Sequence, residues 1–428
     1  MKNTFPFLSI ILILLSSCSN INDRQAEINI IAEEYVKLAL HVGTHSPIFV
    51  DAYYGPAEWK PESKSTQLDQ LIMNVDKLIT ELSNISTEGF EEIWLRRVNY
   101  LNKQLTATKT YCQLQRGEKM SFDEQCKKLF DAISPVFEDT SFDSLHAELD
   151  KILPGEGDLS ERYNKLKNRF IIPEDKVESI YDVAIAEVRK RTKEYIDLPE
   201  NENFTTEYVT DEPWGAYNWY KGNNFSLIQI NVDSPKPINS PLGLSAHEGY
   251  PGHHVYNVLL ESELVGKRGW VEYSVYPLFS PQSFIAEGTA NYGMELMFTE
   301  EEKIQFEKEV LFPIAGLKTD GYETYRKADK ILGKLGLSRN NIARDYLEGN
   351  ITEEEAKQQI MKYSLSTEQR AEQSLRFINT YGAYVITYNI GEQMVKEYVE
   401  RLAGDDNAKR WEVFRKLLSM PSSATNLL

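Results

Sequence analysis

The chain has 428 residues, 41% of them hydrophobic, with 65 acidic against 47 basic side chains and a formal net charge of −18. That length and apolar content bury a large core, which excludes global disorder. The acidity argues against nucleic acid and anionic membrane surfaces as partners.

Lys2 and the apolar run from Phe5 to Leu15, too short to span a bilayer, read as an export leader over residues 1–17. Leu15-Ser-Ser-Cys18 resembles a bacterial lipobox, which implies lipidation of Cys18 and a chain anchored to a membrane through that lipid. An ordinary secretory signal or a short apolar anchor is the alternative. Ser19 after the cysteine fits sorting to the outer membrane in the cell envelope of a Gram-negative bacterium. Residues 18–25 then form a polar tether. Export makes Cys112 and Cys126 either a disulfide or two buried thiols.

From Gln25 the apolar residues Ile28, Ile31, Tyr35, Leu38 and Val42 step by three and four, the spacing of one helix face. His41 and His45 near its end have no Glu directly after them and read as surface or packing residues. Asp51 to Trp59 is an aromatic loop that either pins a lobe or lines a cleft. Helical stripes follow at Leu68 to Leu82 and Trp94 to Leu105, and Ser121-Phe-Asp-Glu124 has capping-box spacing. Residues 26–156 thus read as an all-helical lobe, closed by Pro154-Gly-Glu-Gly157, with 157–428 as a second, catalytic lobe.

In that second lobe, aromatic residues crowd from Trp214 to Phe225, and Ser226 to Val232 alternates as a strand does. This small hairpin or sheet stands just before the histidine motif. It either offers an edge to an extended peptide or packs lobes together. From Thr299 onward helices dominate, with a second capping-box spacing at Thr352-Glu-Glu-Glu355. The expected fold is mainly α, a large multi-helix architecture with a small sheet beside the active-site helix.

Three of the six histidines fall in Ser245-Ala-His-Glu-Gly-Tyr-Pro-Gly-His-His254. A His-Glu pair with a later His is how many zinc hydrolases begin their site: imidazoles bind the ion and the carboxylate handles a proton of water. The spacing departs from His-Glu-x-x-His. In one unbroken helix His253 would sit on another face from His247 and about 9 Å up, and His254 on the same face but about 10.5 Å away. Pro251-Gly252 relieves this by allowing a bulge, which favours His253 as the second ligand over His254. Glu248 is then the general base, and Glu287 the leading third ligand, with Glu272 and Glu295 in reserve.

His-Glu-Gly-Tyr-Pro-Gly-His-His resembles the His-Glu-x-x-Pro-Gly-His-His signature of the bacterial domain-of-unknown-function family 885. Phe284-Ile-Ala-Glu-Gly-Thr-Ala-Asn-Tyr292 is similar to its Phe-x-Glu-Gly-Trp-Ala-Leu-Tyr segment, with Thr289 where that family has Trp. Arg376 with Ala383 to Gly391 resembles a third block without its Pro-Gly-Gln, and Tyr53-Tyr-Gly-Pro56 is similar to a front segment. The resemblance implies a zincin-like, gluzincin-type helical fold and a metal-dependent peptidase or other amide hydrolase. It also implies Tyr388 and Arg376 as groups that steady an oxyanion or grip a substrate carboxylate. The expected protein is a lipid-anchored zinc metallopeptidase with one Zn2+. A hydrolase of cell-wall or glycan amides, or an inactive surface binding lipoprotein, are the rivals.

Overall fold

The computed structural model describes residues 6–63, 66–212 and 214–428, with side chains from Asn20 onward. Its first part is helical: α1 (Pro6–Gly43), α2 (Leu68–Asn84), α3 (Glu92–Gln115), α4 (Phe122–Phe130), α5 (Asp139–Ile152), α6 (Leu159–Lys167) and α7 (Val177–Lys193), with the short strand β1 (Val50–Tyr53) after α1. Strands β2 (Asn203–Val209), β3 (Ala216–Gly222) and β4 (Phe225–Asn231) follow, then helices α8 (Ser240–Glu248) and α9 (His253–Leu259). Strand β5 (Val275–Pro277) precedes α10 (Pro281–Met297). The rest is α11 (Glu300–Phe306), α12 (Phe312–Ala315), α13 (Tyr322–Leu335), α14 (Ser338–Leu347), α15 (Glu353–Ser364), α16 (Glu368–Tyr381), α17 (Ile386–Ala403) and α18 (Asn407–Leu418).

Spacing and caps account for these helices. The stripe Leu71, Ile72, Val75, Leu78 and Leu82 of α2 is buried, as are Ile28, Ile31, Tyr35, Leu38 and Val42 of α1. Ser121, Thr299 and Thr352 each close a reciprocal capping box with the glutamate three residues on.

Residues 20–25, expected as a tether, instead continue α1. Arg24 donates to the carbonyls of Ser86 and Glu88 and lies over the Phe90 ring, so this polar turn is tied down from the side by the segment between α2 and α3. The lipobox reading at Leu15 to Cys18 concerns side chains outside the described residues. No helix among the described residues is long and apolar enough to cross a membrane. Cys112 on α3 and Cys126 on α4 are free, buried thiols, and burial pushes both up to about 12.

The turn at 154–157 is exposed, with Gly155 and Gly157 at positive φ, but one hydrophobic core runs from Ile28 to Leu427 across it. β1 pairs antiparallel with β5. Arg97 of α3 makes a fully buried two-pronged ion pair with Glu272 at 2.6 and 3.0 Å, and its guanidinium sits against the rings of Trp94 and Trp270.

The other sheet has the order β2-β4-β3, with β2 parallel and β3 antiparallel to β4. The alternating strand of the sequence is therefore central, and the edges belong to β2 and β3. Behind the site, α10 and α17 touch backbone to backbone. A Cβ on Gly288 would lie 2.5 Å from the carbonyl carbon of Gly391, so these two glycines set the distance between the helices.

Candidate metal centre

Helix α8 ends at Glu248 and α9 begins at His253, so Gly249 to Gly252 are a break between two helices rather than a bulge within one. The Gly252 amide donates back to the Ala246 carbonyl at 2.9 Å. A Cβ on Gly252 would stand 1.9 Å from the His247 carbonyl oxygen, a contact no side chain tolerates. This tight return of the chain cancels the axial rise that separates the two histidines in a straight helix.

The return sets His253 Nε2 3.1 Å from His247 Nε2, with the ring planes at 89°. Glu287, from α10, completes the group: its Oε2 is 3.3 Å from His247 Nε2 and its Oε1 3.6 Å from His253 Nε2. The ligand atoms of His247, His253 and Glu287 all lie within 4.8 Å of one another.

Neighbouring groups fix these donors. Asn291 donates its amide N–H to the Tyr388 carbonyl at 2.8 Å, which turns its oxygen toward His247 Nδ1 at 2.9 Å. Nδ1 therefore carries the proton and Nε2 presents a lone pair to the centre. Tyr384 donates to Glu287 Oε1 at 2.7 Å, while Oε2 is buried with no hydrogen bond among the described residues. Two imidazole Nε2 atoms and an orphaned carboxylate oxygen converging on one point suit a cation. The electrostatics agree. Burial alone would lower His247, but Glu287 and Glu248 outweigh it and lift it to about 9. Burial would raise Glu287, but His253 and His247 hold it well below the usual carboxylate range.

If Asn291 fixes the tautomer of His247, Asn291→Ala weakens divalent-metal affinity by about 10–100-fold. Competition against a chelator of known strength measures this, and unchanged affinity removes Asn291 from the site.

Glu248 follows the first ligand and is 7% exposed. Its carboxylate makes no hydrogen bond among the described residues, and burial pushes it up against the pull of His247 and His253. His254 points elsewhere, because successive helix residues are turned about 100° apart. It donates from Nε2 to Glu202 Oε2 at 3.2 Å and accepts at Nδ1 from Ser226 of β4 at 2.8 Å. Glu202 also receives Tyr250, Arg189 and Lys193 at 2.6, 2.8 and 3.2 Å.

Burial would raise Glu202, but His254, Tyr250 and Arg189 hold it at about 2, below its ordinary 4.5. A lowered carboxylate contributes stability above its unfolded pKa and loses it as pH falls toward the folded one. Unfolding midpoints of the parent chain therefore fall between about pH 4.5 and 2, and those of Glu202→Gln fall less over that window. Parallel curves for the two chains would remove Glu202 as a source of acid sensitivity.

Several other expected residues lie away from the centre. Arg376 is exposed on α16: Arg370, Ser374 and Phe377 form the face of that helix on the cleft, and position 376 turns outward. Glu272 is held by Arg97, and Glu295 is exposed and paired with Lys396 at 2.6 Å. Tyr388 does line the site, beside Tyr384, which no motif spacing had singled out. Glu202 too had no sequence signal, standing in the polar turn Pro199-Glu-Asn-Glu202.

A cleft of about 800 Å³ reaches His247 and Glu248 past Trp214 to Ala216, the start of edge strand β3. A smaller compartment of about 110 Å³ adjoins all three clustered residues, with Asp51, Tyr384 and Tyr388 also in its wall.

No family model matches this chain, and no curated protein sequence matches it. Solved structures do. A chain described as the "putative lipoprotein from Colwellia psychrerythraea" superposes with a TM-score of 0.53 at 15% identity, covering 84% of this chain and 68% of that one. A lipoprotein-described chain of unknown function from Shewanella oneidensis gives 0.47 at 13% identity, over 84% and 72% of the two chains. The Colwellia likeness shows a shared fold.

Proposed function

We propose that this chain is an exported, lipid-anchored zinc-dependent hydrolase that cleaves peptide bonds, built on a zincin-like, gluzincin-type fold and related to the domain-of-unknown-function family 885. The observation that carries the reading is the convergence of His247, His253 and the orphaned Oε2 of Glu287 beside a Glu248 carboxylate with no hydrogen bond among the described residues, where the large cleft meets the small compartment. Two imidazoles and one carboxylate are a donor set that suits zinc. Bound there, the ion supplies Lewis acidity and makes a water acidic enough to lose a proton near neutral pH.

The chain's own groups do the rest. Glu248 takes that proton on its carboxylate and returns it to the departing amine. The Tyr388 hydroxyl stabilises the developing oxyanion, while Tyr384 and Asn291 hold Glu287 and His247 in place. The edge strand β3 begins on the cleft wall, where an extended peptide can add as a further strand. The anchor rests on Leu15-Ser-Ser-Cys18, and the description of the Colwellia relative agrees with it.

Metal analysis of the full chain and of two variants tests the reading. The parent and His254→Ala should each carry one zinc per chain, and His253→Ala none. Peptide cleavage should stop with a chelator and return with zinc. A chain that binds no divalent ion sinks the proposal. Metal binding with cleavage of cell-wall amides but of no peptide would move the substrate class.

A further inference from the structure

The three clustered residues stand between two unlike spaces, both bounded by His247, Glu248 and Tyr388. The small compartment has a carboxylate in its wall outside the cluster and Glu248. This is Asp51 of β1, which accepts a hydrogen bond from Tyr217 and has no ion pair among the described residues. Burial lifts it to about 6 against the pull of Tyr217 and His253. A carboxylate so placed, facing ligand space and held by one phenol, gains most from a cationic partner.

The large cleft carries the opposite charge. Lys236, from the loop between β4 and α8, Arg339 of α14 and Arg370 of α16 all line it, and none has an ion pair among the described residues. Burial and Arg370 together hold Lys236 below its ordinary range against the pull of Asp233, so Lys236 and Arg370 repel one another. In a chain with 65 acidic side chains, three cations lining one cleft with no ion pair among the described residues create a local field that attracts an anion. The remaining acid of that cleft, Glu392, lies near His247, Glu295 and Lys396, not near Lys236 or Arg370.

We propose that the site takes short peptides with both ends free: the α-ammonium of the first residue enters the small compartment and pairs with Asp51, and the carboxylate end lies against Lys236, Arg339 and Arg370. This rests on the peptidase reading and makes the enzyme an exopeptidase that releases the amino-terminal residue. Its volume of about 110 Å³, against about 800 Å³ for the cleft, makes the compartment the space for the shorter side of the peptide. The hydrolysis balances with water alone: the C–N bond breaks, the carbonyl carbon gains hydroxyl and the leaving nitrogen gains a proton.

The test compares trialanine with its N-acetyl and C-terminal amide derivatives on the zinc-loaded full chain. Acetylation should lower kcat/KM by roughly ten- to a hundredfold, the worth of one charge-assisted bond. Amidation should lower it by a smaller factor that shrinks as salt rises. Asp51→Asn should abolish the preference for the free amine and keep that for the free carboxylate. Lys236→Glu with Arg370→Glu should do the reverse. Equal cleavage of free and acetylated peptide by the parent overturns the proposal, whatever the variants do.

Calorimetry of the same peptides on Glu248→Gln separates the two readings. Tighter binding of free trialanine than of either derivative, with no cleavage by the parent, would end the peptidase reading and keep the ligand polarity. Equal binding of all three would end the polarity.

Discussion

A Glu248→Ala chain keeps its zinc and loses peptide hydrolysis, with kcat/KM falling by about 10²–10⁴-fold, the usual worth of a positioned acid-base group. Retention of metal follows from geometry, since the convergent atoms belong to His247, His253 and Glu287 and not to Glu248. Loss of turnover follows because Glu248 stands next in sequence to a ligand, lines the cleft and has a carboxylate with no hydrogen bond among the described residues. Metal content per chain, a peptide assay and circular dichroism on one preparation measure the effect. Full activity in the variant would sink the mechanism, and loss of the metal would make Glu248 part of the ligand set.

Gly252→Ala removes the metal site itself. The added Cβ would meet the His247 carbonyl oxygen at 1.9 Å, the Ala246 carbonyl oxygen at 2.5 Å and the His247 carbonyl carbon at 2.6 Å. These are backbone atoms, so no rotamer change relieves the overlap, and the return between α8 and α9 has to open. The expected folding cost is about 3 kcal/mol, the upper end for overpacking. Metal affinity should fall by more than about 100-fold, since His253 moves off His247 and the ion loses a ligand. Gly243→Ala on α8 is the control: its Cβ meets nothing within 4 Å, and the helix gains about 0.5–1 kcal/mol. A Gly252→Ala chain with parental melting and metal content would show that the break between the helices tolerates a side chain.

Much of the helical frame was legible from spacing alone. Apolar steps of three and four mark the buried stripes of α1 and α2, and Ser121 and Thr352 announce helix starts that the structure caps as expected. These signals are local, because a helix satisfies its own backbone and shows the core a face that repeats in sequence. The polar residues after Cys18 misled for the same reason: composition resembled a tether, but Arg24 is held by carbonyls more than sixty residues away.

The sequence by itself determined which residue types stand close along the chain: a His-Glu pair, a Pro-Gly and two further histidines in eight positions, with a glutamate forty residues on. It could reject a straight helix, because rise and turn per residue are constants of the backbone. Only the tertiary structure decided that the Pro-Gly breaks the helix, that His254 turns to Glu202 while His253 faces His247, and that Arg376 points outward as Arg339 and Arg370 line the cleft. It alone brought Asn291, Tyr384 and Asp51 to the centre from separate elements. Contacts between elements far apart in sequence depend on how helices pack, here on two glycines that let α10 and α17 touch, and no periodicity along one segment encodes that.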